Sequence, residues 1–239
     1  MGACDHNTRG ATTVKPLPWS YSALDTFSSC PRQYHHKYVL KDVPKDSTPE
    51  IVWGNYVHKA FEDRQATGVP LPKDLQDHEP FMLKLDKMKD GIFYDTERKI
   101  SLDKKGQPLN EFFGDHIWWR GVVDWRCVNE EAKRATLVDY KTGKPHDKWK
   151  QLGMFAIHTF LQFPDVRLVN AQFYWTKTVS ATKKVWSRED MPVLWNMFMP
   201  DLKQYAQAFK TDTWQERPSG LCRGWCSVTQ CEHWRPKRT

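Results

Sequence analysis

Apolar and polar residues follow one another along this chain in two rhythms, and the change between them near Gly91 organises the reading. Before that point the apolar positions recur at helical spacing. Leu24 and Phe27 share a side in a segment that Ser20 or Ser22 can cap and Pro31 interrupts. A second helix is expected from Arg32 to about Leu40, with Tyr34 and Tyr38 four apart on one face and Cys30 at the junction of the two. Lys41 to Glu50, polar with two prolines, reads as a loop. The next helix is expected from Trp53 to about Thr67, closed by Gly68, and a shorter one over 79–90 turns Phe81, Leu85 and Met88 inward.

From Gly91 the period shortens to that of strands. Ile92 to Leu102, Phe112 to Val128 and Ala135 to Lys141 are rich in β-branched and aromatic residues, separated by Gly106-Gln107-Pro108 and by a charged turn, Asn129 to Arg134. They read as three consecutive antiparallel strands. Gln151 to Phe163 is apolar on most sides, the signature of a helix buried against a sheet. Val169 to Lys177 and Lys183 to Ser187 read as a further hairpin, and Glu189 to Lys210 as a last amphipathic helix.

Several polar residues break this apolar background. Asp124 stands inside a strand between apolar neighbours, where a carboxylate is costly unless paired or bound to a cation. Asp139 and Lys141 lie two apart at a strand end, hence on one side and roughly 6.6 Å apart along the chain. His58 and Glu62 are four apart on one helical face, and Gln151 opens the buried helix.

Composition narrows the partners. In 239 residues, 36 Lys and Arg against 29 Asp and Glu give a net charge of +7, which favours an acidic partner such as nucleic acid, and twelve tryptophans offer surfaces on which unpaired bases can stack. No stretch reaches the roughly 18 apolar residues of a membrane helix, and Met1 to Lys15 is polar. His6 occupies the place where a myristoylation signal following Gly2 needs Ser or Thr. A cytoplasmic protein is expected, with six cysteines kept reduced or bound to metal.

In order, Gly54-Asn55-Tyr56-Val57-His58 with Ala60-Phe61-Glu62, Gly121-Val122-Val123-Asp124, Asp139-Tyr140-Lys141-Thr142-Gly143 and Gln151 resemble the PD-(D/E)xK nuclease superfamily, in particular its RecB-type branch of CRISPR-associated and phage exonucleases. Ser22-Ala23-Leu24 to Cys30-Pro31 also looks like the start of that branch, so the resemblance spans about residues 20–231. It implies an α/β fold: a central mixed sheet of the restriction-endonuclease type flanked by helices, with an N-terminal helical segment and a cysteine-rich tail. A lead over 1–18, a nuclease core over 19–210 and a tail over 211–239 that packs back on the N-terminal helices are expected.

The activity implied is metal-dependent DNA exonucleolysis in recombination, repair or end processing, on DNA with single-stranded character at an end. A recombination or replication protein is an implied partner, and the layout resembles phage-encoded members most. An endonuclease using the same site, and a non-catalytic nucleic-acid-binding module, are the alternatives. By the same resemblance His58, Asp124, Asp139 and the Tyr140 carbonyl hold Mg²⁺ or Mn²⁺, and the imidazole favours Mn²⁺. Lys141 orients or helps deprotonate the attacking water, while Glu62 and Gln151 steady the ligands and the water around them. Two departures stand out. Val123 replaces the proline before Asp124, and Phe155 replaces the tyrosine four residues after Gln151.

Cys222, Cys226 and Cys231 cluster near the C-terminus. Branch members with an iron–sulfur cluster take one ligand from an upstream helical segment, a place Cys30 fits. The usual tail spacing of that branch is Cys-x₂-Cys-x₅-Cys, and here it is x₃ and x₄. A 4Fe-4S cluster on Cys30, Cys222, Cys226 and Cys231 is the first expectation. Structural zinc, on the same four residues or on the three clustered ones with His233, is the rival. Cys4 and Cys127 are expected to take no part.

Overall fold

The computed structural model describes residues 15–44, 47–89 and 92–237; Cys4, Gly91 and Arg238 fall outside them. In chain order, α1 (Tyr21–Ser29) and α2 (Pro31–Tyr34), the latter continued by a π-helical turn over His35–Leu40, precede α3 (Pro49–Thr67) and α4 (Glu79–Lys89). Then come β1 (Phe93–Leu102), the short β2 (Pro108–Leu109), β3 (Trp119–Asn129) and β4 (Arg134–Lys141). After α5 (Lys150–Gln162), β5 (Leu168–Trp175) and β6 (Ser180–Ser187) lead to α6 (Met191–Asn196) and α7 (Met199–Thr211).

The strands form one sheet in the order β2-β1-β3-β4-β5-β6. All neighbours are antiparallel except β4 and β5, whose parallel pairing requires a crossover, supplied by α5. Leu152 to Phe160 are buried without exception, so the all-round apolar helix is the crossover helix. Each face of the sheet has its own core. One gathers Ile100, Leu137, Phe173 and Trp175 under α5, α1 and α7, and the other gathers Trp125, Val138, Tyr140 and Tyr174 under α3 and α4.

The local signals for helix ends act as expected at several places. Ser20 accepts from the Ala23 amide at the start of α1, and Gly68 closes α3 at φ 74. Other expectations are corrected. The α3 helix begins at Pro49, because Thr48 accepts from the Ile51 amide and proline suits a first helical position, so the loop before it is shorter than its composition suggests. In α4 the fully buried residues are Met82 and Leu85, with Phe81 stacked on Tyr174 and Met88 exposed. Phe112 to Trp118 is loop rather than strand. The expected last helix is divided into α6 and α7, with Pro200 in the first turn of α7. In a continuous helix its ring would clash with the preceding turn.

Candidate active site

The site lies where the sheet splits. The β3–β4 ladder ends at the Trp125–Val138 rung, and one residue further on stand Asp124 and Asp139. With no β3 partner there, the Tyr140 amide donates to Asp124 Oδ2 at 2.7 Å. The β1–β3 ladder is broken at the same level. Its rungs run through Thr96–Trp125 and Arg98–Val123 and pass over Glu97, which adopts φ 45. A left-handed non-glycine residue in mid-strand costs on the order of 1–3 kcal/mol and persists only where its surroundings hold it. Here it turns the Glu97 carboxylate toward α3, where His58 Nδ1 is 3.3 Å from Glu97 Oε1.

His58 sits between acceptors. Its Nε2 is 3.1 Å from the Tyr140 carbonyl oxygen, and its Nδ1 faces Glu97 and, at 3.6 Å, Asp124 Oδ2. Only the doubly protonated ring can donate on both sides. Burial pulls the imidazole down, but the bond to Glu97 and the charges of Asp124, Glu97 and Asp139 push it up to about 9. Asp124, 5% exposed, moves upward as well: burial and the charge of Asp139 lift it, against the imidazolium and the Tyr140 amide.

The donor set suits a hard divalent cation. One ligand atom each from His58, Glu97 and Asp124 lie within 4.8 Å of one another, and oxygen ligands with one imidazole fit Mg²⁺ or Mn²⁺. Asp139 is 1% exposed; its Oδ2 is paired with Lys141 Nζ, but its Oδ1 is buried without a hydrogen-bond partner, an expensive arrangement that a cation would relieve. Because the His58 ring is doubly protonated in the metal-free protein, cation binding at neutral pH is expected to release a proton from it. Titration calorimetry of Mn²⁺ in buffers of different ionisation enthalpy measures this release. Affinity should climb as pH rises toward 9, and uptake without proton release would contradict the arrangement.

The remaining expected residues divide. Lys141 Nζ stands 2.5 Å from Asp139 Oδ2 and donates to Gln151 Oε1 at 2.8 Å, so Gln151 holds the lysine rather than reaching the His58–Glu97–Asp124 group. Glu62 lines the same cleft as His58 and Glu97, but its Oε2 is engaged by Lys59 at 3.0 Å. Glu97 was not visible in the sequence, where it reads as one of several charges on an exposed strand. Only the pairing of β1 with β3 sets it opposite Asp124.

The four expected cysteines line one cavity with His233 and Trp234. Burial pushes the Cys226 thiol up, and the neighbouring Cys30, Cys222 and Cys231 add to the effect. Tail and N-terminal helices meet here: the Arg217 amide donates to Cys30 Sγ at 3.5 Å, Arg217 Nη1 to the Ser28 carbonyl at 2.6 Å, and Trp214 stacks on Tyr34 and His35. His233 Nε2 faces Glu216 and Glu232, each at 3.8 Å. Cys127 is buried apart from this cavity, its thiol donating to the Met88 carbonyl.

A mixed sheet split beside paired acids, with a lysine on the same strand end and a histidine brought in by a helix, defines a nuclease of the α/β class. Residues 18–231 match the PD-(D/E)XK nuclease superfamily, and the chain belongs to that superfamily. Among solved structures it resembles a protein of Eubacterium rectale described as a candidate exonuclease, with a TM-score of 0.53 at 10% identity over 100% of this chain and 96% of that one. The structure of the protein SSO0001 gives a TM-score of 0.46 at 13% identity over 92% of this chain and 88% of that one. No curated protein sequence matches the chain. Among the described residues no helix is long and apolar enough to cross a membrane.

Proposed function

We propose that the protein is a divalent-cation-dependent DNA exonuclease of the RecB-type branch, with residues 19–210 as its nuclease core and 211–239 as a tail, acting in the cytoplasm on DNA ends with single-stranded character. The observation that carries the reading is the convergence of His58, Glu97 and Asp124 beside a buried Asp139 whose Oδ2 is paired with Lys141 and whose Oδ1 has no hydrogen-bond donor. A bound Mg²⁺ or Mn²⁺ would neutralise the non-bridging phosphate oxygens and acidify the attacking water. His58, Glu97, Asp124 and Asp139 would hold it. Lys141, fixed by Gln151, directs its ammonium at the reacting phosphate, where it orients the water and offsets the negative charge that grows in the transition state. Intact acids and lysine weigh against a binding module without activity.

Exonuclease action rests on the resemblance to the RecB-type branch, since the bond chemistry is the same for cleavage inside a strand. End-labelled linear DNA, single- and double-stranded, and covalently closed circles of the same sequence are incubated with Mg²⁺, Mn²⁺ or EDTA. Linear DNA should be degraded with either cation, EDTA should stop the reaction, and closed circles should persist. Equal rates on circles and linear DNA would make the protein an endonuclease.

For the cysteines we favour a 4Fe-4S cluster on Cys30, Cys222, Cys226 and Cys231, with a structural role. Among the described residues the compact sets of ligand atoms within 4.8 Å are His58–Glu97–Asp124 and Glu216–Glu232–His233, neither of which contains a cysteine. A single tetrahedral zinc, with Zn–S bonds of about 2.3 Å, would draw its thiolates to within about 4 Å of one another. A four-iron cube spreads them farther apart over its corners. The orientation of His233 toward two carboxylates weighs against a local zinc site that includes it.

A further inference from the structure

The side of β1 and β3 that carries Glu97 and Asp124 continues beyond them toward the β1 end of the sheet. The register sets Lys99 opposite Val122 and Ser101 opposite Arg120. Lys99 therefore lies two residues past Glu97, and Arg120 four residues past Asp124 on the neighbouring strand, roughly 6.6 and 13 Å along the sheet. The intervening residues use the other side. Ile100 and Leu102 are in the core under α5, and the Cα of Gly121 faces Phe155 and Trp119 so closely that a Cβ would lie 2.8 Å from the Phe155 ring.

Both cations are held in place without a counter-charge. Lys99 Nζ stands 5.7 Å from the centre of the Phe112 ring, and the Arg120 guanidinium stands 5.3 Å from the same ring and 5.1 Å from that of Phe113. Arg120 Nη1 donates to the Phe112 carbonyl at 3.4 Å. Among the described residues neither cation is ion-paired with a carboxylate, and the loop acid Glu111 is taken up by His116 at 2.6 Å. Phe113 itself is 70% exposed. Two uncompensated cations in line with an acidic cleft, ending at an uncovered ring, are the two parts of a surface for unpaired nucleic acid: charge for the backbone and a flat face for a base.

We propose that Lys99, Arg120 and Phe113 form the track that carries an unpaired strand to or from the cleft, the two cations taking phosphates that flank the scissile one and Phe113 stacking on a base. The strand pairing that puts Asp124 opposite Glu97 also spaces the cations, so cleft and track share one rigid support. The proposal deepens the nuclease reading and rests on it.

The test is fluorescence anisotropy with a labelled thymidine oligonucleotide and with a blunt duplex, in EDTA and over a salt series, alongside cleavage of the same oligonucleotide in Mn²⁺. The Lys99→Ala/Arg120→Ala double variant should bind the single strand about tenfold more weakly at low salt, with the salt slope reduced by about 0.7 for each phosphate that is no longer neutralised. Arg120→Lys should keep the slope of the wild type. Phe113→Ala should weaken the single strand about tenfold and leave the duplex unchanged. Lys183→Ala, on the distant edge strand β6, is the charge-matched comparison and should change affinity by about twofold or less.

Track variants that bind the single strand as tightly as Lys183→Ala overturn the proposal, as does a wild-type protein with no single-strand affinity. Equal losses of Phe113→Ala on duplex and single strand overturn it in favour of a duplex path. Track-dependent binding by a wild type that cleaves nothing in Mn²⁺ would uphold the track and remove the nuclease reading instead.

Discussion

Asp124→Asn is expected to abolish cleavage and, at the same time, to make the metal-free protein more stable. Asparagine keeps an oxygen that can accept from the Tyr140 amide, so the closure of the sheet split survives. The charge that a cation needs is gone, and loss of an electrostatic element of this kind costs on the order of 10³-fold in rate. The stability gain follows from the direction of the pKa. Burial and Asp139 lift Asp124 above its ordinary value, so the folded state holds a proton that the unfolded chain releases at about pH 4. Stability contributed by such a group is lost as pH rises from that point toward the folded pKa. The asparagine variant escapes this loss, so its advantage in EDTA should appear above about pH 4 and widen as pH rises, read as a higher melting temperature than that of the wild type.

Thermal melts in EDTA across pH, together with cleavage in Mn²⁺, measure both halves. A variant that cleaves like the wild type removes Asp124 from the site, and one that melts lower at every pH removes the account of its burial. Lys141→Ala separates the roles further. It should lose activity while Mn²⁺ affinity remains near that of the wild type, because the lysine acts on the phosphate and the water rather than on the cation. An equal loss of affinity in Lys141→Ala and Asp139→Ala would contradict that division.

Cys30→Ser is expected to lose the bound cluster and to destabilise the whole chain. Cys30 caps the junction of α1 and α2, whereas Cys222, Cys226 and Cys231 belong to the far end of the sequence, so a shared cluster ties the two ends together. A cross-link across so long a loop removes unfolded-state entropy worth about 5 kcal/mol in the chain-entropy description. The direct contacts of Arg217 with Ser28 and of Trp214 with Tyr34 would remain in the variant, so its tail should loosen before the sheet does. Anaerobically purified wild type should be brown, with broad absorption at roughly 400 nm in the manner of four-thiolate iron clusters. Cys30→Ser should be colourless, unfold at lower urea and be cut by protease within the tail first. Cys127→Ser should keep colour and stability. Colourless wild type with about one zinc per chain would reject the cluster, and a Cys30→Ser protein that retained that zinc would place the metal on the three tail cysteines.

Much of this protein was legible from local pattern alone. The apolar run of α5 had to be buried on every side, the caps at Ser20 and Gly68 had to end helices, and Asp139 and Lys141 had to point the same way, because periodicity and capping act within a few residues. The order of His58, Asp124, Asp139, Lys141 and Gln151 was enough to suggest the family. Pro200 also carried a readable signal, since a proline at that point is incompatible with one continuous helix.

What only the tertiary structure decided depends on pairing between distant segments. The end of the β3–β4 ladder at Trp125–Val138 opens the gap that Asp124 fills, and the interruption of the β1–β3 ladder aims Glu97 at His58. Gln151 takes Lys141 for its partner because α5 starts beside the end of β4, and Lys99 and Arg120 fall into line with the cleft through a register set across a loop. A strand carries its alternation in its own residues, but it does not carry its neighbour or its register. Those are chosen by the burial of both faces of the whole sheet at once, and the site is built at the place where that pairing gives way.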